Sequence, residues 1–180
     1  MQRVLVVTHK RKDARVLAGL LPKDTYHLSA SMCPSHRKDI LKKVKELLEK
    51  ESSTVRLVST QLIEAGVDID FPVVFRALAG LDSISQTAGR CNREGKDING
   101  GRLIVFRAPT EPPPGVLRLG KGIVESLLNS SEADGVLRDD DGSLDLTSPA
   151  IYDTYFRLFY SGVQLDGAGV QNARSSLDFP

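Results

Sequence analysis

STQLIEAGVDIDFPVVFRALAGLDSISQTAGRCNREG, residues Ser59 to Gly95, decides how this chain folds. An apolar, β-branched run, Val55 to Val58, enters it. A polar turn with Thr60, Gln61 and Glu64 follows, then Gly66 and Asp68. A second apolar run, Val73 to Phe75, leads to Gln86, Gly89, Arg90 and Arg93. Short continuous apolar runs suit strands buried on both faces.

Working outward, Val4 to Val7 is a third such run, with Thr8, His9 and Lys10 at its carboxyl end. Ala14, Leu17, Leu20 and Leu21 recur at helical spacing, and Pro22 stops that helix. His27 to Ala30 reads as a short strand. Pro34 opens an amphipathic helix to Lys50 with Ile40, Leu41, Val44, Leu47 and Leu48 on its apolar face. Ser83 to Cys91 reads as a short helix, with Ser83 and Gln86 spaced as a capping box. Arg102 to Phe106 is a further strand. Strands alternating with helices predict crossover units, so the fold class is α/β with a mainly parallel sheet flanked by helices. Ligands of such sheets gather beyond the strand carboxyl ends, where the groups after Val7, Val58 and Phe75 should meet.

Beyond Phe106 the pattern changes. Residues 109–115 hold three consecutive prolines among four and predict an extended connector. Val116 to Leu128 reads as a helix, 132–145 as an acidic solvated loop, and Ser148-Pro149 as the start of a helix to Tyr160. The expected division is an α/β lobe over 1–108, the connector 109–115, and a helical extension over 116–180. Residues 1–107 carry 19 Lys/Arg against 12 Asp/Glu, and 108–180 carry 5 against 11. An anionic partner suits the basic part, as do ordinary solvated helix faces. The chain has no Trp, so aromatic base stacking is not its expected way of holding nucleic acid. No apolar run approaches the roughly 18 residues of a membrane helix, and no membrane partner is expected. Cys33 and Cys91 lack metal-type neighbours, so no metal site is expected and the thiols suit a reducing cytoplasm.

Arg90 and Arg93 stand three apart, which on a helix puts them on one face. Planar guanidiniums bind phosphate oxygens in pairs, and Gly89 permits close backbone approach. The same spacing also fits a surface salt-bridge helix. Thr60 and Gln61 offer donors for phosphate oxygens, or form an ordinary turn. Asp68 could accept from a ribose hydroxyl. Asp68 and Asp70 as a metal pair lack a third ligand nearby.

In combination these segments resemble motifs V and VI of superfamily 2 helicases. Ser59 to Phe71 and Leu81 to Gly95 resemble the CRISPR-associated helicase–nuclease of type I systems, and Thr8-His9-Lys10 resembles that family's motif IV. The likeness is close over about residues 3–107 and loose beyond. It implies a second RecA-like lobe, with ATP and Mg²⁺ in a cleft shared with a first lobe. Arg90 and Arg93 would reach the phosphates, Arg93 as the finger. Gln86, Gly66, Asp68 and Gly89 would lie by the nucleotide. Thr8, His9, Lys10, Thr60, Gln61 and Glu64 would face single-stranded DNA. The RNA-guided Cascade surveillance complex is the implied partner, and a phage-encoded inhibitor is a candidate partner.

A motor also needs a phosphate loop. Gly115 to Gly122 nearly matches, but Gly122 stands where Ser or Thr would ligate Mg²⁺. No DEAD-like tetrapeptide or His-Asp dipeptide occurs. The expectation is therefore one lobe of a larger motor, inactive alone. A non-catalytic nucleic-acid or protein module, or lobe 2 of another superfamily 2 helicase, remain the alternatives.

Overall fold

The computed structural model describes residues 3–50, 52–64, 66–95, 100–129, 145–146 and 148–163. The acidic segment 132–145, apart from Asp145, lies outside the described residues. The chain divides into two compact units, Met1–Lys121 and Gly122–Pro180.

The first unit is built on five parallel strands. They are β1 (Arg3–Thr8), β2 (Tyr26–Leu28), β3 (Val55–Thr60), β4 (Val73–Ala77) and β5 (Arg102–Phe106), in the spatial order β2-β3-β1-β4-β5. Helix α1 (Arg11–Leu20) joins β1 to β2, α2 (Pro34–Leu48) joins β2 to β3, and α3 (Leu81–Ala88) joins β4 to β5. Between β3 and β4 a 3-10 turn, Gln61–Ile63, replaces a helix. Right-handed crossovers then put α1 on one face and α2, the 61–72 connection and α3 on the other.

The core lies on the α2 face. Leu5, Val7, Val55, Leu57 and Val74 point into it from the sheet, and Ile63, Ile69 and Phe71 from the connection. Val44 of α2 is buried, and Ile40, Leu41, Leu47 and Leu48 pack against it, as their spacing predicts. Fully burying a side chain of this kind contributes about 1.5–3 kcal/mol. The α1 spacing is less faithful: Ala14 is buried, but Leu20 is 79% exposed. Six residues beyond Ala14, Leu20 falls well off its face at about 3.6 residues per turn.

In α4 (Val116–Asn129) the near-match Gly115 to Gly122 is continuous with a helix rather than a loop. Lys121 reaches back to Glu111 at 2.8 Å. The second unit contains α5 (Pro149–Ser161) with Ile151 and Tyr155 buried. Ser148 occupies its N-cap position but makes no side-chain capping bond.

Candidate functional site

The strand carboxyl ends form one edge. Thr8 pairs in register with Thr60, which sets the ends of β1 and β3 side by side. Both threonine side chains are buried. Thr8 donates to the Lys10 carbonyl at 3.3 Å, and Ser59 donates to the Thr60 carbonyl at 2.9 Å. Lys10 and Gln61 are half-buried. His9 is buried, and its Nε2 lies 2.9 Å from the Leu78 carbonyl. A carbonyl only accepts, so Nε2 carries the proton and Nδ1 is bare. Burial first, and Arg76 second, lower the imidazole pKa from 6.5 to about 4. His9 is thus a neutral brace between β1 and the chain leaving β4.

Behind this edge sits a buried ionic joint. Arg76 of β4 is fully buried, and its Nη2 lies 2.8 Å from Glu64 Oε1. The register Val7↔Arg76 aims Arg76 at the face that Val7 fills. Nη2 is near the carboxylate but off the N–H line, and Nε and Nη1 have no hydrogen-bond partner among the described residues. Ser83 and Thr87, one turn apart on α3, each donate to Glu64 at 3.3 Å. Burial pushes the Glu64 carboxyl up, against the pull of Arg76 and the two hydroxyls. The Glu64 carbonyl accepts from Arg90 Nη2 at 2.9 Å. Glu64, expected to face DNA, thus turns its carboxylate inward.

The arginines do not share a helix face. Helix α3 begins at Gly80 as N-cap, not at Ser83, and ends at Ala88. Tight i→i−3 bonds from Arg90 N to the Thr87 carbonyl and from Cys91 N to the Ala88 carbonyl close its end. Cys91 then bridges to Phe71, and Asn92 turns left-handed at φ 49°. Phe71 precedes β4, so this segment lies toward the strand amino ends, opposite the Thr8–Thr60 edge. There Arg93 Nη1 meets Asp68 at 2.6 Å, with the two side chains 46% and 67% exposed. Lys45 of α2 approaches the other Asp68 oxygen at 3.4 Å. Asp70 instead accepts the backbone N–H groups of Arg93 and Glu94, at 2.8 and 3.2 Å. The two aspartates therefore serve different partners. No group of three or more metal-binding side chains occurs among the described residues.

A cleft of about 490 Å³ opens here, lined by Arg3, Lys45, Asp68, Asp70, Asn92 and Glu94 among others. Gln86 and Gly89 are exposed, and Gly66 stands at φ +70° in an exposed turn that an L side chain would strain. Within the chain itself, the glycine most closely approached is Gly101. A Cβ on Gly101 would meet Cys91 Sγ at 2.6 Å and Asn92 Cβ at 2.8 Å, whereas one on Gly89 meets nothing closer than 3.4 Å. Sequence reading missed Gly101 and Arg76. A charged residue within the apolar run Val73 to Ala77 was the available signal for the second.

A five-stranded parallel sheet in this order, helices on both faces, and an arginine segment after the helix that follows β4 define a RecA-like lobe of the helicase type. The family model described as CRISPR-associated nuclease/helicase Cas3, C-terminal, matches residues 2–96, more than half of the chain, and the chain belongs to that family. The CRISPR-associated nuclease/helicase Cas3 of Haloferax volcanii is 53% identical over 62 residues, which are 33% of this chain and 7% of that protein. Among solved structures, T. fusca Cas3 is 16% identical with a TM-score of 0.65, covering 97% of this chain and 22% of that one. T. fusca Cas3-ADP gives 0.66 at 15% identity, over 98% of this chain and 22% of that one. A chain of a CRISPR RNA-guided surveillance complex, pre-nicking, gives 0.60 at 17%, over 98% of this chain and 23% of that one. At these identities the structures speak for the fold. The chain spans less than a quarter of each. No described helix is long and apolar enough to cross a membrane.

Proposed function

We propose that this chain is the second motor lobe of an ATP-dependent single-stranded-DNA translocase that unwinds and helps degrade invading DNA in type I CRISPR immunity. The observation that carries this reading is the state of Arg93. Its guanidinium is half exposed and held by an exposed carboxylate, Asp68, so a phosphate can take it over with little desolvation cost. A buried partner would not release it so readily. Arg90, three residues earlier, is tied through Nη2 to the Glu64 carbonyl and adds a second guanidinium to the same segment.

In this scheme ATP supplies the phosphoryl chemistry, in a cleft completed by a first RecA-like lobe. Arg93 stabilises charge on the transferring phosphoryl group, and Arg90 holds the phosphates. Gln86, Gly66, Asp68 and Gly89 line the nucleotide side. The fit to a polyphosphate rests on these two guanidiniums, chiefly the half-exposed Arg93. Mg²⁺ would be held by groups outside this set, since Asp70 is engaged with backbone N–H groups. At the opposite edge Thr8, Lys10, Thr60 and Gln61 grip the DNA backbone, largely through main-chain groups, with His9 and Glu64 bracing them from behind. The proposed setting is cytoplasmic, with the Cascade surveillance complex as recruiting partner and a phage-encoded inhibitor as antagonist. The lobe alone would not turn over ATP.

Arg93→Ala in the complete helicase tests this. DNA-stimulated ATP turnover should fall by roughly 10³–10⁵. Turnover equal to the parent protein would sink the finger assignment. The excess of 19 basic over 12 acidic residues in 1–107 favours a second reading, a lobe that binds nucleic acid without catalysis. Under it, Arg93→Ala leaves turnover unchanged while single-stranded-DNA affinity still falls steeply with salt.

A further inference from the structure

We infer that Glu64 and Arg76 are positioning residues, holding Arg90 in place and joining the strand-gripping edge to the nucleotide site. This rests on the reading of Arg90 as a phosphate-facing group.

Glu64 is where three elements meet. Its carboxylate is fixed by Arg76 from β4 and by Ser83 and Thr87 from α3. Its own N–H closes the 3-10 turn on the Gln61 carbonyl at 2.9 Å. Gln61 follows Thr60, the last residue of β3 at the proposed DNA edge. On the other side, the Glu64 carbonyl holds Arg90 Nη2, while Arg90 Nε is buried with no hydrogen-bond partner among the described residues. A shift of the Gln61 turn therefore moves the carbonyl that fixes Arg90.

Stability is a poor reason for this arrangement. A buried ion pair costs both charges their water, and an apolar pair of like volume is often as stable or more so. Arg76 points where Val7 and Val74 point, to the core side of the sheet, and its three guanidinium nitrogens lack aligned acceptors among the described residues. What the charges add is direction. A carboxylate fixed from β4 and α3 sets the rotation of the turn that bears it, and apolar side chains cannot do that.

The test is a double-mutant cycle in the complete helicase. Glu64→Leu/Arg76→Met removes both charges and keeps volume. Thermal unfolding should show a Tm no lower than the parent, while KM for ATP rises by about 10- to 100-fold. In an Arg90→Ala background the same pair of substitutions should cost little more, because the group it positions is gone. Full additivity with Arg90→Ala, or an unchanged KM, overturns the inference and leaves the phosphate site standing. Arg90→Ala with unchanged KM and turnover overturns both. Should the double variant fail to fold, Thr87→Val removes one restraint on Glu64 at similar shape. It should raise KM in the same direction, again not additively with Arg90→Ala, and additivity there overturns the inference equally.

Discussion

Two arginine–carboxylate pairs stand in this lobe, alike in chemistry and opposite in setting. Arg76 and Glu64 are buried between a central strand and α3. Arg93 and Asp68 lie at the surface beside a cleft. In the first, water is excluded and the attraction is strong, but each charge has lost its hydration. In the second, water screens both the attraction and its loss. The buried pair is hard to separate and sets geometry. The exposed pair exchanges partners easily and suits a site that must capture and release a ligand each cycle.

The largest expected effect separates them. Arg76→Ala leaves Glu64 as an unpaired buried charge and should cost about 3–5 kcal/mol, read by urea unfolding of the lobe. A loss below about 1 kcal/mol would put the buried pair in the class of surface pairs and end the contrast.

Next comes acid. His9 lies beside Arg76, and its pKa of about 4, against 6.5 unfolded, keeps a second cation out of the buried region. Between those values the unfolded chain binds more protons, so stability rises with pH and is lost as pH falls from about 6.5 toward 4. The loss should reach at most about 3 kcal/mol. His9→Gln keeps a donor for Leu78 and should flatten that slope. Glu64, raised by burial, contributes with the opposite sign, so the difference between the two proteins isolates the imidazole. Identical slopes would remove His9 from the account.

The smallest effect belongs to the exposed pair. Asp68→Asn should change stability by less than about 1 kcal/mol, and less still at high salt. A loss comparable to that of Arg76→Ala would erase the distinction between the pairs.

Much of this lobe was legible. The apolar runs became β1, β3, β4 and β5, and the α2 face packs as its spacing requires, because periodicity and burial share one cause. The arginine segment was misplaced for a local reason. Gln86 to Arg93 has helical spacing, but the helix starts two residues before Ser83 and closes at Gly89. A bridge to Phe71, far away in sequence, then takes over the backbone bonds of Arg90 and Asn92. Tertiary pairing of that kind leaves no mark in a window of eight residues. Arg76 was overlooked because its partner, Glu64, stands twelve residues earlier in a turn that looked solvent-facing. The glycine that must be small, Gly101, packs against Cys91, ten residues earlier, a contact that no local pattern signals.

The strand order has a consequence for how the chain acquires its structure. Of the five strands β1 is made first, yet it sits in the middle of the sheet. Arg3 pairs with Val55 and Val4 with Val73, so both partners are long-range and closing those loops slows folding. Until Val73–Ala77 is made, β1 has an unpaired edge beside an apolar face, a template for pairing with another nascent chain. A chain ending before Val73 would keep that edge open and should aggregate. One ending after Phe106 has all five strands and no exposed centre.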